Sequence, residues 1–556
     1  MTANIRRIQR SAGLMTLCMA LSSNAARAQN GNPAPQENHD DEGGYKIAGT
    51  AVNAMTGAPL AKVKVSLADT QSRAKVISTV TGKAGHFAFA ELPQGKFSLQ
   101  GSRTGFLTSS YDQHEQYSTA IVTGPDFATD KLVLRLTPMA MILGHVSDES
   151  GEPVRSARVH LFAEDHNQGM SHVTSAGGAS TDDRGYFDVG VLRPGIYFIS
   201  VTATPWYAVH PGTAQGATAS TVSQALDVAY PTTFYGGATE SESAAPIELK
   251  GGEHREIDIR LTAVPALHLL LHVAEGAPSG FQVPQFQKQV FDSVERVPVG
   301  QIREVSPGVV ELTGIPAGRY DLNLRGAGRE TEQLSAVDLS HDGQDLTATP
   351  GDALGKLKIT MKMAGGEPLP RQYVVGLRDS RQKTAVLQPG DPNGEVELVA
   401  VKPGKYAIVM GAQGKQYAVA RTIMASGEAS ANEVNVGPGA NVELTAEVAA
   451  GDVGIEGVVE KNGKPVSGVM VALVPKDPEA HIELFRRDQS DFDGTFYLRG
   501  AIPGTYTVVA VEDAWGFDWL KAGVLARYAE HGQPITVGEK MRGTVRLPQP
   551  LEAQAK

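Results

Sequence analysis

Three sets of residues in this 556-residue chain have types and spacings that could do chemistry. His39 and Glu42 form an HxxE pair, the spacing from which zinc hydrolases take two ligands. Asp488, Asp491 and Asp493 precede Gly494, and an oxygen-rich loop of this kind suits a hard cation such as calcium. The third set is aromatic: Trp206, Tyr207, Tyr230, Phe234 and Tyr235, then Trp515, Phe517 and Trp519. Aromatic residues make up only 6% of the chain, so their clustering carries information. Rings of this type could stack on sugars or grip a peptide, because they join apolar faces to polar edges.

The surroundings of each set narrow these options. His39 and Glu42 lie in QNGNPAPQENHDDEGG, residues 29–44, which has no apolar periodicity and reads as a flexible linker that would not hold metal ligands in place. His145, His160, His254 and His268 are scattered and read as surface or turn positions. The chain contains no HExxH, no GxSxG and no Walker-type phosphate loop. The three aspartates have a plainer reading, since a tight turn before glycine favours aspartate anyway, and the same holds for Asp182 and Asp183 before Gly185. No enzyme and no cofactor are expected, with calcium the one metal candidate. The aromatic residues either contact a ligand or pack their loops onto a neighbouring domain.

Residues 1–28 read as a secretory signal peptide: Arg6, Arg7 and Arg10, then the apolar run AGLMTLCMAL, then an Ala26-x-Ala28 cleavage site. The run is too short to span a bilayer, which takes roughly 20 apolar residues, and no later segment is long and apolar enough. Cleavage after Ala28 removes Cys18, the only cysteine, and four of the 50 basic residues, leaving 46 against 61 acidic ones and a net charge of −15. The expected location is the periplasm, the outer surface or the exterior. An acidic exported chain repels phosphate backbones and anionic lipid surfaces, so nucleic acid is excluded as a partner.

The elements that must position these residues follow from an internal repeat. Gly85, Gly185, Gly308, Gly394 and Gly494 each stand twelve residues before an aromatic: Phe97, Tyr197, Tyr320, Tyr406 and Tyr506. Each aromatic follows a glycine by two residues, at Gly95, Gly195, Gly318, Gly404 and Gly504, with a proline just upstream. A fixed internal period of this kind marks a repeated structural unit. Apolar residues alternate on both sides of the Pro/Gly turn, as in Phe187 and Val189, then Tyr197, Ile199 and Val201. Period two marks strands with one face in a core, so each copy reads as a hairpin closing a sandwich. Upstream of copies one, two and five a second phrase recurs, as in ILGHVSDESGEPVRSARV at 142–159. The spacing of roughly 90 to 120 residues suits about seven strands per unit.

The combined pattern, GxVxDxxGxPVxxAxV then TDxxGxFxxxxLxPGxY, resembles the carboxypeptidase regulatory-like domain, a transthyretin-like or prealbumin-like sandwich in the carbohydrate-binding-like fold superfamily. Copy two carries both halves: Gly144, Val146, Asp148, Gly151, Pro153, Val154, Ala157 and Val159, then Thr181, Asp182, Gly185, Phe187, Leu192, Pro194, Gly195 and Tyr197. Residues 230–267 and 515–547 further resemble secreted bacterial multi-domain proteins built from such units. The resemblance implies an all-β chain of about five tandem antiparallel β-sandwich domains. The expected divisions are a signal peptide 1–28, a linker 29–44, sandwiches at 45–137, 138–263, 264–352, 353–448 and 449–549, and a tail 550–556. The second sandwich carries a long aromatic loop at 203–237, and the fifth a short helical insert at 518–532. Related surface-protein sandwiches form a Lys to Asn cross-link with a glutamate four residues after the turn aromatic. Here Gly101, Val201, Leu324, Met410 and Ala510 hold that place, so no such link is expected.

The functional expectation is a non-catalytic binding or scaffold protein of the cell envelope or exterior, with a polysaccharide or an envelope protein as partner. A structural spacer or adhesin stalk, or an accessory to a separate secreted peptidase, are the alternatives. Five sandwiches of about 35 Å in line would span well over 100 Å, and a folded-back arrangement is equally open.

Overall fold

In a computed structural model the protein is described over residues 44–556, apart from 73–74, 167–168, 211–223, 273–283, 326–330, 348–353, 381–383, 479–480 and 522. The expected signal peptide, the linker up to Asp41, Glu42 and Gly43, and part of the aromatic loop lie outside the described residues.

Among the described residues there are eleven sheets: ten pair into five sandwiches, whose strands occupy residues 45–136, 140–260, 267–347, 355–450 and 453–552, and the eleventh is a two-stranded ribbon of Val228–Ala229 and Val264–Pro265. Each sandwich has its own core of alternating residues, for example Ile142, Val146, Val159, Leu161, Phe187, Tyr197, Ile199 and Val201 in the second. The opening strand is central in one sheet. In the second sandwich Ala140–Ser147 runs between Tyr186–Leu192, antiparallel, and His254–Arg260, parallel. The same parallel pairing of first and last strand occurs in all five, so the sandwiches are mixed rather than purely antiparallel.

The repeated phrase is not a hairpin. Tyr186–Leu192 pairs in the sheet of the opening strand, whereas Gly195–Thr202 pairs with Arg158–Asp165 in the facing sheet. The Pro/Gly turn is therefore an arch that carries the chain across the core. Alternation shows that a strand has one buried face, but both sheets of a sandwich bury one face, so it cannot assign the strand to either. The tyrosine fastens the arch: Tyr197, Tyr320, Tyr406 and Tyr506 each donate a hydroxyl hydrogen bond to the carbonyl four residues back, at 2.6–2.9 Å.

The Asp/Gly turn ahead of the arch does what its composition suggests. Asp182 Oδ1 accepts from the amides of Arg184 and Tyr186 at 2.9 and 2.8 Å. Gly185 has φ +77, and a Cβ there would lie 2.5 Å from the Val146 carbonyl oxygen. Only glycine meets both the left-handed angle and that approach.

Within the expected helical insert at 518–532 the described residues hold a single helical turn, Ala526–Ala529, and otherwise turns and bends. The array is also not a straight rod. The first and fifth sandwiches touch, and the second touches the fifth, through contacts between residues more than 350 apart in sequence. No helix among the described residues is long and apolar enough to cross a membrane.

Candidate ligand surface and the junctions around it

Most of the aromatic candidates are consumed by packing. In the long loop of the second sandwich, Tyr230 belongs to that sandwich's core and Phe234 is fully buried. Tyr235 packs against the same core. Phe234 forms a socket with Phe162 and Phe198 that receives Phe291 of the third sandwich, at ring distances of 5.8, 5.2 and 4.7 Å. Phe291 stands at the tip of a tight hairpin with φ +50, and beside it Asp292 Oδ2 accepts from the Val173 amide at 2.9 Å. This peg was not legible as such in the sequence.

Trp206 is the exception. It is 84% exposed and stands edge-on to Tyr207, 5.8 Å away at 89°. The Tyr207 hydroxyl donates to Glu149 Oε1, and Arg260 donates to the Glu149 backbone carbonyl. Tyr230 sits behind Tyr207, and burial first, then the Glu149 charge, push its phenol above the ordinary range. The Trp206 indole is thus presented to solvent from a base held by Tyr207, Glu149 and Tyr230. Glu149 and Arg260 were not singled out from the sequence, because Glu149 lies in the turn phrase DESGEP, where a carboxylate reads as turn chemistry.

The second aromatic group builds the junction between distant sandwiches. Trp515 stacks on His114 of the first sandwich at 5.1 Å and 7°, touches Tyr117 at 5.5 Å, and donates Nε1 to the Gly468 carbonyl at 3.3 Å. Trp519 is 9% exposed, under the Arg487 guanidinium at 4.5 Å and against Phe485 at 5.3 Å. Gly169 of the second sandwich comes so close that a Cβ there would lie 2.6 Å from Trp519. Phe517 is only partly buried, with Arg527 at 5.8 Å and Lys556 at 4.9 Å from its ring centre.

The three aspartates of the calcium expectation are taken up by protein groups. Lys96 of the first sandwich donates Nζ to Asp491 Oδ2 at 2.6 Å, to Asp493 Oδ1 at 3.3 Å and to Thr495 Oγ1. Asp491 Oδ1 also accepts from the Ala120 amide at 2.9 Å. Burial pushes the Asp491 carboxyl up, and Lys96 opposes that shift. Asp488 faces elsewhere, accepting from the Tyr497 amide at 2.7 Å, and burial pushes its carboxyl up to about 6. The cation that the spacing suggested is therefore an ammonium group from another domain. The same junction holds a bidentate pair, Arg487 to Glu115 at 2.8 and 3.2 Å, almost fully buried on the arginine side.

Of the four histidines expected at surface or turn positions, His254 is exposed, and the other three depart from that reading. His145 packs beside Tyr186 at 4.9 Å, and His160 pairs with Glu295 across the boundary of the second and third sandwiches at 2.9 Å. His268 is buried, 2.7 Å from Asp227 Oδ2, whose Oδ1 contacts His210 at 3.0 Å. His254 lies in the parallel strand of the second sandwich. No group of three or more His, Cys, Asp or Glu side chains is arranged to hold a metal among the described residues. The HxxE pair lies outside the described residues. A cleft of about 1170 Å³ separates the fourth and fifth sandwiches, floored by Ala418, Val419, Ala449, Leu484 and Ile502.

Residues 46–124, most of the first sandwich, match the carboxypeptidase regulatory-like domain family. No curated protein matches the chain. Among solved structures, the chain is similar to the TIE protein of Bacillus anthracis, with 15% identity over 73% of this chain and 68% of that one, at a TM-score of 0.16. It is similar to the minor pilin GBS52 of Streptococcus agalactiae, with 12% identity over 40% and 97% and a TM-score of 0.21. Two B repeats of the collagen-binding protein of Staphylococcus aureus give 12% identity over 72% and 99%, and a TM-score of 0.13.

Proposed function

We propose that this protein is an exported, non-catalytic binding and scaffold protein of the cell envelope or exterior, and that it holds a polysaccharide on the surface around Trp206. The observation that carries the reading is the indole of Trp206, 84% exposed while the other seven aromatic candidates are buried or partly buried. An exposed indole on a firm base can stack on the apolar face of a sugar ring without reorganising on binding. The non-catalytic reading is supported by pairings across domain boundaries that take up the candidate groups: Asp491 and Asp493 with Lys96, Glu115 with Arg487, His160 with Glu295 and His268 with Asp227. A spacer gains reach from an extended array, and the contacts between first and last sandwiches shorten this one, which favours binding over reach.

The test is retention of the chain from Gln29 onward on insoluble polysaccharides and cell-wall material. The expected result is retention on at least one polymer that Trp206→Ala weakens tenfold or more. Equal retention of Trp206→Ala and the parent on every polymer would sink the reading.

A further inference from the structure

The depression beside the helical turn of the fifth sandwich, about 460 Å³ and open to solvent, is lined by His166, Phe517, Asp518, Lys521, Val524 and Arg527. Its charges are unequally matched. Asp518, the one acid lining it, is already shared: His166 Nδ1 lies 2.7 Å from Oδ1, and Lys521 pairs with Oδ2. Burial works against the Asp518 charge, but Lys521 and His166 hold its carboxyl below the usual range.

Arg527 is held differently. Its guanidinium lies 4.7 Å over the Tyr528 ring and 5.8 Å from Phe517, and Nη2 donates to the Tyr528 hydroxyl at 2.7 Å. Lys556 Nζ lies 4.9 Å over Phe517. Neither cation is within ion-pair distance of a carboxylate side chain among the described residues. Aromatic faces orient such cations without neutralising them, so their outward N–H groups stay available to an anion. In a chain with net charge −11, an oriented arginine that lines a concave surface with no carboxylate side chain paired to it is a local reversal of sign.

We infer that this depression is a second binding site, separate from Trp206, for a carboxylate-bearing saccharide such as a uronic acid unit. The planar guanidinium of Arg527 matches a carboxylate in a two-pronged pair. Phe517 supplies the apolar contact for the sugar ring, and Lys556 adds a point charge at the rim. The overall negative charge opposes a long polyanion at a distance, so the ligand is a short segment or chain end. The inference rests on the polysaccharide reading only for the ligand class, not for the site.

The test uses the chain from Gln29 onward, with trigalacturonate as probe and a neutral trisaccharide as control, followed by calorimetry. Trigalacturonate is expected to bind more tightly than the neutral control, and Arg527→Gln with Lys556→Gln to weaken it at least tenfold. Raising the salt should weaken it further, and Trp206→Ala should leave it unchanged. Equal binding of the neutral sugar, or an unchanged affinity in the double variant, overturns the site. Displacement by inorganic phosphate at the same concentration as trigalacturonate overturns the saccharide class. Failure of the Trp206 reading would appear instead as unchanged polymer retention in Trp206→Ala, with trigalacturonate binding intact.

Discussion

Asp488 shows how far position outweighs residue type. Its carboxyl moves from an ordinary value of 3.8 up to about 6 because burial disfavours the charge. Between those values the folded chain keeps a proton that the unfolded chain has released, so stability is highest at the acid end and falls as pH rises toward 6. The unfolding midpoint of the fifth sandwich should therefore drop between pH 4 and pH 6.5. Asp488→Asn, which can still accept from the Tyr497 amide, should reduce that slope, leaving the smaller contribution of Asp491, and gain roughly 2 kcal/mol at pH 7, readable by thermal melts across pH. A flat profile in the parent would refute this. Trp206 and Trp515 make the complementary contrast. Trp206→Ala should change stability by less than about 0.5 kcal/mol, because its ring is in solvent. Trp515→Ala removes a ring stacked between domains and should cost roughly 2 kcal/mol in the same melts.

At the scale of elements, the repeat phrase specifies more than a strand pair. Its Asp/Gly turn, its arch and its tyrosine back-bond are all local, and the spacing of those residues made the units countable in the sequence. The sheet each strand joins is not local, and that is why an arch reads as a hairpin. The same limit hid the peg at Phe291. A phenylalanine at a hairpin tip looks like an exposed ring until the facing sheet supplies Phe162, Phe198 and Phe234. Phe291→Ala should destabilise the junction of second and third sandwiches by roughly 2–4 kcal/mol. Hydrogen exchange should rise in Pro284–Val290 and His172–Ser180 while the core strand Tyr373–Arg378 of the fourth sandwich keeps its protection. Uniform exchange across both regions would show that the peg carries no local stability.

For the whole molecule, the closing contacts decide the shape. Lys96 with Asp491 and Asp493, Arg487 with Glu115, and Trp515 on His114 join the two ends of the series. Gly468 is part of the same closure, since a Cβ there would lie 2.4 Å from Asp112 Oδ2 of the first sandwich. Small-angle scattering should give a maximum dimension well below that of five sandwiches in line, which is on the order of 150 Å or more. Lys96→Ala with Arg487→Ala should lengthen it, because each substitution strands partly buried carboxylates that water satisfies once the ends separate. An unchanged dimension in the double variant would mean that other contacts hold the closure.

The sequence by itself determined the units: five copies of a phrase whose glycines, prolines and alternating apolar residues act within a few residues of one another, as local chemistry does. It also marked the scarce aromatic residues outside those copies. Only the tertiary structure decided their fates, because burial depends on what arrives from elsewhere in the chain. Trp206 touches its neighbour Tyr207 but stays in solvent, Trp515 and Trp519 meet the first and second sandwiches, and the Asp491 and Asp493 carboxylates meet a lysine nearly four hundred residues away. Spacing along the chain records which groups can act together locally, and contacts across that distance are fixed by packing alone.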